Sequence, residues 1–175
     1  MALIAEEVVE EWLNQQGFFT IRGIKLGVHE MDIVAVKIAG GEADLRHYEV
    51  HASVNPVSYI SSVPKDVQKR TGRRPSSSKL RTSEEIAVGV GEWIEKKFLH
   101  PRKDKLRQQL FPGRWSYFFV VNEFKHPEEI EEFERSQVTI LRLRDILDSL
   151  KDSSRRTYSA SGKDLVDLML MDAAR

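Results

Sequence analysis

His29-Glu30-Met31-Asp32-Ile33-Val34-Ala35-Val36-Lys37 and His47-Tyr48-Glu49-Val50-His51, with Gly40-Gly41 between them, decide how this chain folds. Ile33 to Val36 follow Asp32 without a polar break, the pattern of a strand covered on both faces. The second run sets Glu49 between Tyr48 and Val50. Side chains alternate faces along a strand, so Glu49 shares a face with His51, and Glu30 shares one with Asp32. If the two strands pair as a hairpin, those faces coincide. Carboxylates and an imidazole then converge on an otherwise apolar sheet. Uncompensated buried charge costs several kcal/mol or more, so such a cluster needs a cation or a proton to hold. The plain alternative is polar residues at strand ends facing solvent.

The rest of the chain sets bounds on this pair. Its 175 residues suffice for one domain with a real core. Hydrophobic residues make up 41% and charged residues 31%, and 27 basic groups balance 27 acidic ones. A neutral molecule cannot bind nucleic acid through its overall field, so such a partner needs a local patch. No cysteine is present, which excludes disulfides and thiolate metal sites. Met1-Ala2-Leu3-Ile4-Ala5-Glu6-Glu7 has acids where a secretion signal needs a basic start, and no apolar run approaches bilayer length. The expected location is cytoplasmic, without a membrane partner.

Outward from the two strands, about Leu3 to Gln16 reads as a helix, with Ala5, Val8, Val9, Trp12 and Leu13 on one side and Gly17 as its stop. Of Glu6, Glu7, Glu10 and Glu11, Glu6 lies nearest the apolar stripe and is the acid expected to look toward the sheet; the others read as solvated. Phe18 to Ile24 reads as a strand, Glu30 to Ile38 as the second and Leu45 to Val54 as the third, ended by Asn55-Pro56. Lys65, Lys69, Arg70, Arg73, Arg74, Lys79 and Arg81, mixed with serines, glycine and prolines, read as a mobile basic loop, which is either a plain solvated surface loop or one suited to a phosphate backbone. Thr82 or Ser83 caps a helix whose Gly89 and Gly91 imply a close approach to another element. A basic helix from Arg102 to Leu110, a strong strand from Trp115 to Val121, an acidic helix from Glu128 to Arg135, a strand from Val138 to Leu143 and a helix from Asp145 to Lys151 follow. The alternation implies an α/β layer structure with a mixed sheet over 1–152. A polar linker over 153–162 and a docked C-terminal helix over 163–175 complete the expected organisation. His29 and His47 are each read as surface histidines.

The order of elements, with Ala5-Glu6, His29-Glu30-Met31-Asp32-Ile33-Val34-Ala35 and Tyr48-Glu49-Val50-His51, resembles the PD-(D/E)xK nuclease superfamily. The likeness in residues covers about Ala2 to Ser53; beyond it only the order of elements agrees. It implies a restriction-endonuclease-like αβββαβ core, with a central mixed sheet flanked by helices, and phosphodiester hydrolysis with Mg²⁺ or Mn²⁺. By that resemblance Asp32 and Glu49 are metal ligands, with the Val50 carbonyl and Glu6 as further oxygens, and DNA is the expected substrate. Hard cations of this kind take oxygen donors and keep several waters. Position 51 departs from the family, which usually has lysine there. His51 is then a charged or basic stand-in, or the mark of a domain that binds nucleic acid or protein without cutting. A lysine from elsewhere could replace it, with Lys65 and Lys69 as candidates. A third reading is a homodimer in which the basic loop pairs with the acidic helix of a second copy.

Overall fold

The computed structural model describes residues 2–53 and 58–152. The linker and C-terminal helix expected over 153–175 lie outside the described residues. Helix α1 spans Ala2–Gln15, and three strands follow: β1 Phe19–Leu26, β2 His29–Ala39 and β3 Glu42–His51. Then come helices α2 Lys65–Thr71 and α3 Ser83–Ile94, a π-helical turn Glu95–Leu99, and α4 Pro101–Leu110. Strand β4 Ser116–Val121, helix α5 Pro127–Arg135, strand β5 Val138–Arg142 and helix α6 Leu143–Asp152 end the described chain.

The five strands form one mixed sheet in the order β1-β2-β3-β4-β5. The first two pairings are antiparallel and the last two parallel. The tight Gly40-Gly41 turn fixes the β2–β3 register, with both glycines at positive φ that a side chain would disfavour. Val34 therefore lies opposite His47, and Ile33 opposite Tyr48. β3 is the central strand. β4 is interior, as its apolar run implied.

Alternation sorts the strand residues onto two covered faces. Ile33, Ala35, Tyr48, Val50 and Val120 pack under α1 and α6 with Val8, Val9, Leu13, Ile146 and Leu150. Phe119, Val121 and Val138 pack under α3, the π turn and α5 with Ile86, Val90, Phe98, Ile130 and Phe133. A third cluster joins Met31, Val34 and Leu45 to Trp115 and to Leu106 of α4. A strand covered on both sides needs apolar residues on both faces whichever way its neighbours run, and this accounts for Val120-Val121 on the parallel-paired β4 and for Ile33-Val34 on the antiparallel-paired β2.

Two expectations change. The basic segment is not a plain loop: Lys65–Thr71 forms α2, held by the buried Val67 and ended by Gly72 at positive φ. Its single buried apolar residue explains why no helical stripe is visible in the sequence. Gly89, but not Gly91, meets another element. A Cβ at Gly89 would sit 2.9 Å from the Ser62 carbonyl oxygen and 3.0 Å from Ser61 Oγ, whereas nothing lies within 4 Å of one at Gly91. Gly89→Ala is expected to cost about 1–3 kcal/mol, as overpacking does, and Gly91→Ala should not destabilise. Urea unfolding of the two variants checks this; equal stability would mean that the segment at Ser61 and Ser62 yields freely.

Candidate functional site

The pairing of β2 with β3 runs from the glycine turn to Ile33 and Tyr48. Beyond that point the Asp32 side chain takes a backbone partner: Val50 N–H donates to Asp32 Oδ2 at 2.8 Å. Glu49 lies on the β3 face covered by the π turn and α4, and its side chain is 1% exposed. Lys97 Nζ donates to Glu49 Oε2 at 2.5 Å, and Lys103 Nζ donates to Oε1 at 2.8 Å. Two carboxylates that the sequence places on paired strands thus meet at one end of the hairpin, together with two lysines.

The lysines arrive there for local reasons. Thr82 starts α3 with a capping box, its hydroxyl accepting from Glu85 N–H while Glu85 reaches back. At Glu95 the helix widens into a π turn, a distortion common at functional sites. Phe98 anchors that turn, buried edge-on to His47 at 4.9 Å and stacked near Tyr117 at 5.0 Å between ring centres. With Phe98 inserted, Lys97 points at Glu49. Pro101 then begins α4 at the position where a missing N–H costs nothing. Lys103 and Arg107, one turn apart on α4, are both buried. Such residues are seldom buried without partners. Lys103 also donates to the Lys97 carbonyl at 2.7 Å. Arg107 donates to the Phe98 carbonyl at 2.8 Å and lies 3.1 Å from His47 Nδ1.

That last contact assigns the histidine. Guanidinium has no acceptor, so His47 Nδ1 must accept, and the ring proton sits on Nε2. Nε2 lies 3.2 Å from Glu49 Oε1, and this N–H contact, although its angle falls short of a full hydrogen bond, still favours the charged carboxylate. Burial lowers the His47 pKa to about 4, so the ring is neutral at pH 7. Burial alone would raise Glu49, but His47, Lys97 and Lys103 outweigh it and hold the carboxyl down at about 2. Asp32 goes the other way, pushed up to about 7 by burial and by the Glu49 charge, against Lys97 and the Val50 N–H. The environments thus separate the two acids, a mark of functional sites. Lys97 is raised, because Glu49 and Asp32 outweigh its burial, whereas burial lowers Lys103.

The sign of the Asp32 effect on stability follows. Its folded pKa lies above its unfolded one, so between about pH 4 and 7 the folded chain holds a proton that the unfolded chain has lost. Stability falls as pH rises through that window and is level above it. Asp32→Asn retains an oxygen for the Val50 N–H and has no charge to lose. In the presence of a chelator it is expected to be more stable than wild type at pH 8, by on the order of a few kcal/mol, with the gap closing near pH 4. Melting curves across this range test it, and a gap independent of pH would contradict the Asp32 assignment.

The remaining site residues fall in several places. Glu6 on α1 is half-buried, its pKa raised by burial, with Arg22, Glu30, Glu49 and Lys97 near enough to act on it. Of the four acids on α1, however, Glu11 is the most buried, at 3% exposed, so the expectation that it is solvated fails. His51 is exposed; burial and Lys97 lower its pKa. His47 is fully buried rather than a surface residue. Alternation already placed it on the face of Glu49 and His51. His29 at the start of β2 touches His100 at the start of α4, 3.8 Å between ring centres.

Lysines do come from elsewhere, but from the π turn and α4. Lys65 and Lys69, the sequence candidates, lie exposed on α2. Of the basic segment, Arg70, Arg74 and Lys79 are also exposed. Arg73 and Arg81 serve the fold instead. Arg73 binds Glu85 and the Lys79 carbonyl. Arg81 is buried over the Tyr59 ring at 4.0 Å and donates to the carbonyls of Ser61 and Ser62. No signal separated these two from their neighbours in sequence.

A metal ion has a limited donor set here. Among the described residues no group of three or more histidine, aspartate or glutamate side chains is arranged to hold one. Asp32 and Glu49 supply hard oxygens, which suits an ion that keeps most of its water. Asp32, a desolvated carboxyl driven toward protonation, is one that a divalent cation would keep ionised. Among the described residues no helix is long and apolar enough to cross a membrane.

No family model matches this chain, and no curated protein matches it. A crystal structure titled as a protein of unknown function, AF1548, is similar over 85% of this chain at 12% identity, with a TM-score of 0.43. This chain spans 66% of that one.

Proposed function

We propose that this protein is a metal-dependent nuclease of the PD-(D/E)xK kind, with Lys97 of the π turn in place of the usual strand lysine. The observation that carries the reading is the meeting of Asp32, Glu49 and Lys97 where β2 and β3 stop pairing. Asp32 and Glu49 would hold Mg²⁺ or Mn²⁺, with the Val50 carbonyl as a further oxygen and Glu6 acting from α1. When bound, the ion makes a water more acidic and offsets charge on the scissile phosphate. Lys97, on the more exposed side of Glu49, is placed to face negative charge that develops on a phosphate there. His51 lies beside it, uncharged at neutral pH, and is available to accept a proton. Lys65, Lys69, Arg70, Arg74 and Lys79 form the exposed basic face that meets the nucleic-acid backbone, DNA by preference. Binding through this face weakens steeply with salt.

One observation favours a second reading, a domain of this kind that binds nucleic acid or a protein without cutting. Both Glu49 oxygens are already held by lysines. A panel of duplex, single-stranded, branched and RNA substrates with Mn²⁺ or Mg²⁺ decides between them. Wild type is expected to cut, and Asp32→Ala and Lys97→Met to lose about 10²–10⁴-fold in rate while remaining folded. Salt-sensitive binding with no cleavage, unchanged by Asp32→Ala, would establish the second reading.

A further inference from the structure

The site's lysine and carboxylate do not hold their own positions. The last carbonyls of a helix have no partner within it, and a residue starting the next helix with proline offers none. Here the two carbonyls concerned, of Lys97 and Phe98, are each taken by a buried cation from α4. Each cation has a second partner on β3: Lys103 reaches Glu49 and Arg107 reaches His47. The two residues therefore perform the same task one helical turn apart. Each ties a carbonyl of the π turn to a side chain on the same face of β3. We infer that Lys103 and Arg107 are positioning residues, which set the distance between Lys97 on the π turn and Glu49 on the strand without touching substrate.

The arrangement is specific in its parts. Ammonium suits the Lys103 position, where two oxygens lie at 2.7 and 2.8 Å around one nitrogen. Guanidinium suits the Arg107 position, where its second nitrogen also meets Asp104 at 3.2 Å and the Tyr117 hydroxyl at 3.4 Å. Neither side chain is exposed enough to meet a polymer. The inference extends the nuclease reading in its activity arm and stands apart from it in its structural arm.

The test uses the full chain with Lys103→Met, Lys103→Arg, Arg107→Met and Arg107→Lys, first shown to give cooperative melts. Hydrogen exchange followed by mass spectrometry reports on residues 95–99. The two methionine variants are expected to exchange there about tenfold faster or more, with α1 and α6 unchanged. The charge-conserving variants should recover part of the protection. In the cleavage assay, kcat of the methionine variants is expected to fall about 100-fold, the size of effect a misplaced group produces, with KM unchanged and partial rescue in the conservative variants. Unchanged exchange at 95–99 would overturn the inference, as would faster exchange throughout the chain with kcat falling in step with stability. If wild type does not cut, the nuclease reading fails and exchange alone decides the inference. If wild type cuts and Lys103→Met keeps its kcat, the inference fails and the nuclease reading stands.

Discussion

Glu49→Ala is expected to destabilise the fold by about 3–5 kcal/mol, the range for removing one partner from a buried ion pair. The cost is not the loss of an attraction alone. Lys103 is 1% exposed and would be left beside Lys97, with Arg107 behind it and no carboxylate between them. Two ammonium groups would then crowd a desolvated corner. For a domain of this size the loss corresponds to a fall of roughly 6–20 °C in melting temperature. The effect carries a pH signature. The folded Glu49 pKa, about 2, lies below the unfolded value near 4.5, so the stabilisation is complete above the latter and is lost as pH falls through the former. The gap between wild type and Glu49→Ala should therefore shrink as pH falls from 4.5 to 2, and it should also narrow somewhat as pH rises from 5 to 7, because the variant relieves Asp32 of the Glu49 charge that raises its pKa. Denaturant titrations at pH 7 and pH 3 measure both points. A loss below about 1 kcal/mol at pH 7, the range of a surface pair, would mean that the lysines do not engage this carboxylate in solution.

The second large effect lies away from the site. Glu129 on α5 is 1% exposed and accepts from Ile60 N–H at 2.7 Å and Ser61 N–H at 2.8 Å, with Ser61 Oγ–H donating to the same carboxylate. Arg81 closes the cluster by donating to Ser61 Oγ at 3.2 Å. This one side chain satisfies the backbone of a segment that has no strand or helix to do so. Glu129→Ala would orphan three donors at about 1–3 kcal/mol each before relaxation, and a net loss of about 3–5 kcal/mol is expected. Glu129→Gln keeps one acceptor oxygen but turns an N–H₂ toward the remaining donors, so about half of that loss should persist. Gly89 packs against the same segment, so its substitution and that of Glu129 should not be additive. Equal stability of Glu129→Gln and wild type would show that the carboxylate charge is not required. Mn²⁺ affinity, measured where both proteins are folded, should separate the two glutamates: Glu49→Ala loses it and Glu129→Ala retains it.

What was legible in the sequence follows from what each pattern can encode. Period-two alternation with apolar neighbours placed β2 and β3 and set Asp32 and Glu49 on facing positions, because a carboxylate inside an apolar strand has few other meanings. It also carried His47, since every second residue from Glu49 shares its face. The lysines were not legible. Lys97 follows Lys96 in a helix, and α4 reads Pro-Arg-Lys-Asp-Lys-Leu-Arg, in which Lys103 and Arg107 look like Arg102 and Lys105. Only the contacts of the folded chain show that one pair is buried and the other solvated. The same limit hid Arg81 and Glu129. Charge in a helix reads as surface because it usually is, and the exceptions are made by partners distant in sequence.

The π turn has a consequence for how this chain tolerates length changes. A regular helix turns about 100° per residue, and the widened turn accommodates what amounts to one extra residue between α3 and Pro101. Removing a residue just ahead of Lys97 would let the regular ladder of α3 continue and would improve the helix as a helix. It would also swing the lysine about 100° round the axis, away from Glu49, and shift the carbonyls that Lys103 and Arg107 hold. The length of this segment is thus tied to the site rather than to the helix. A shortened chain would gain a regular helix but lose the seat of Phe98 and the carbonyl partners of buried Lys103 and Arg107, and it would carry an ammonium group facing the wrong way.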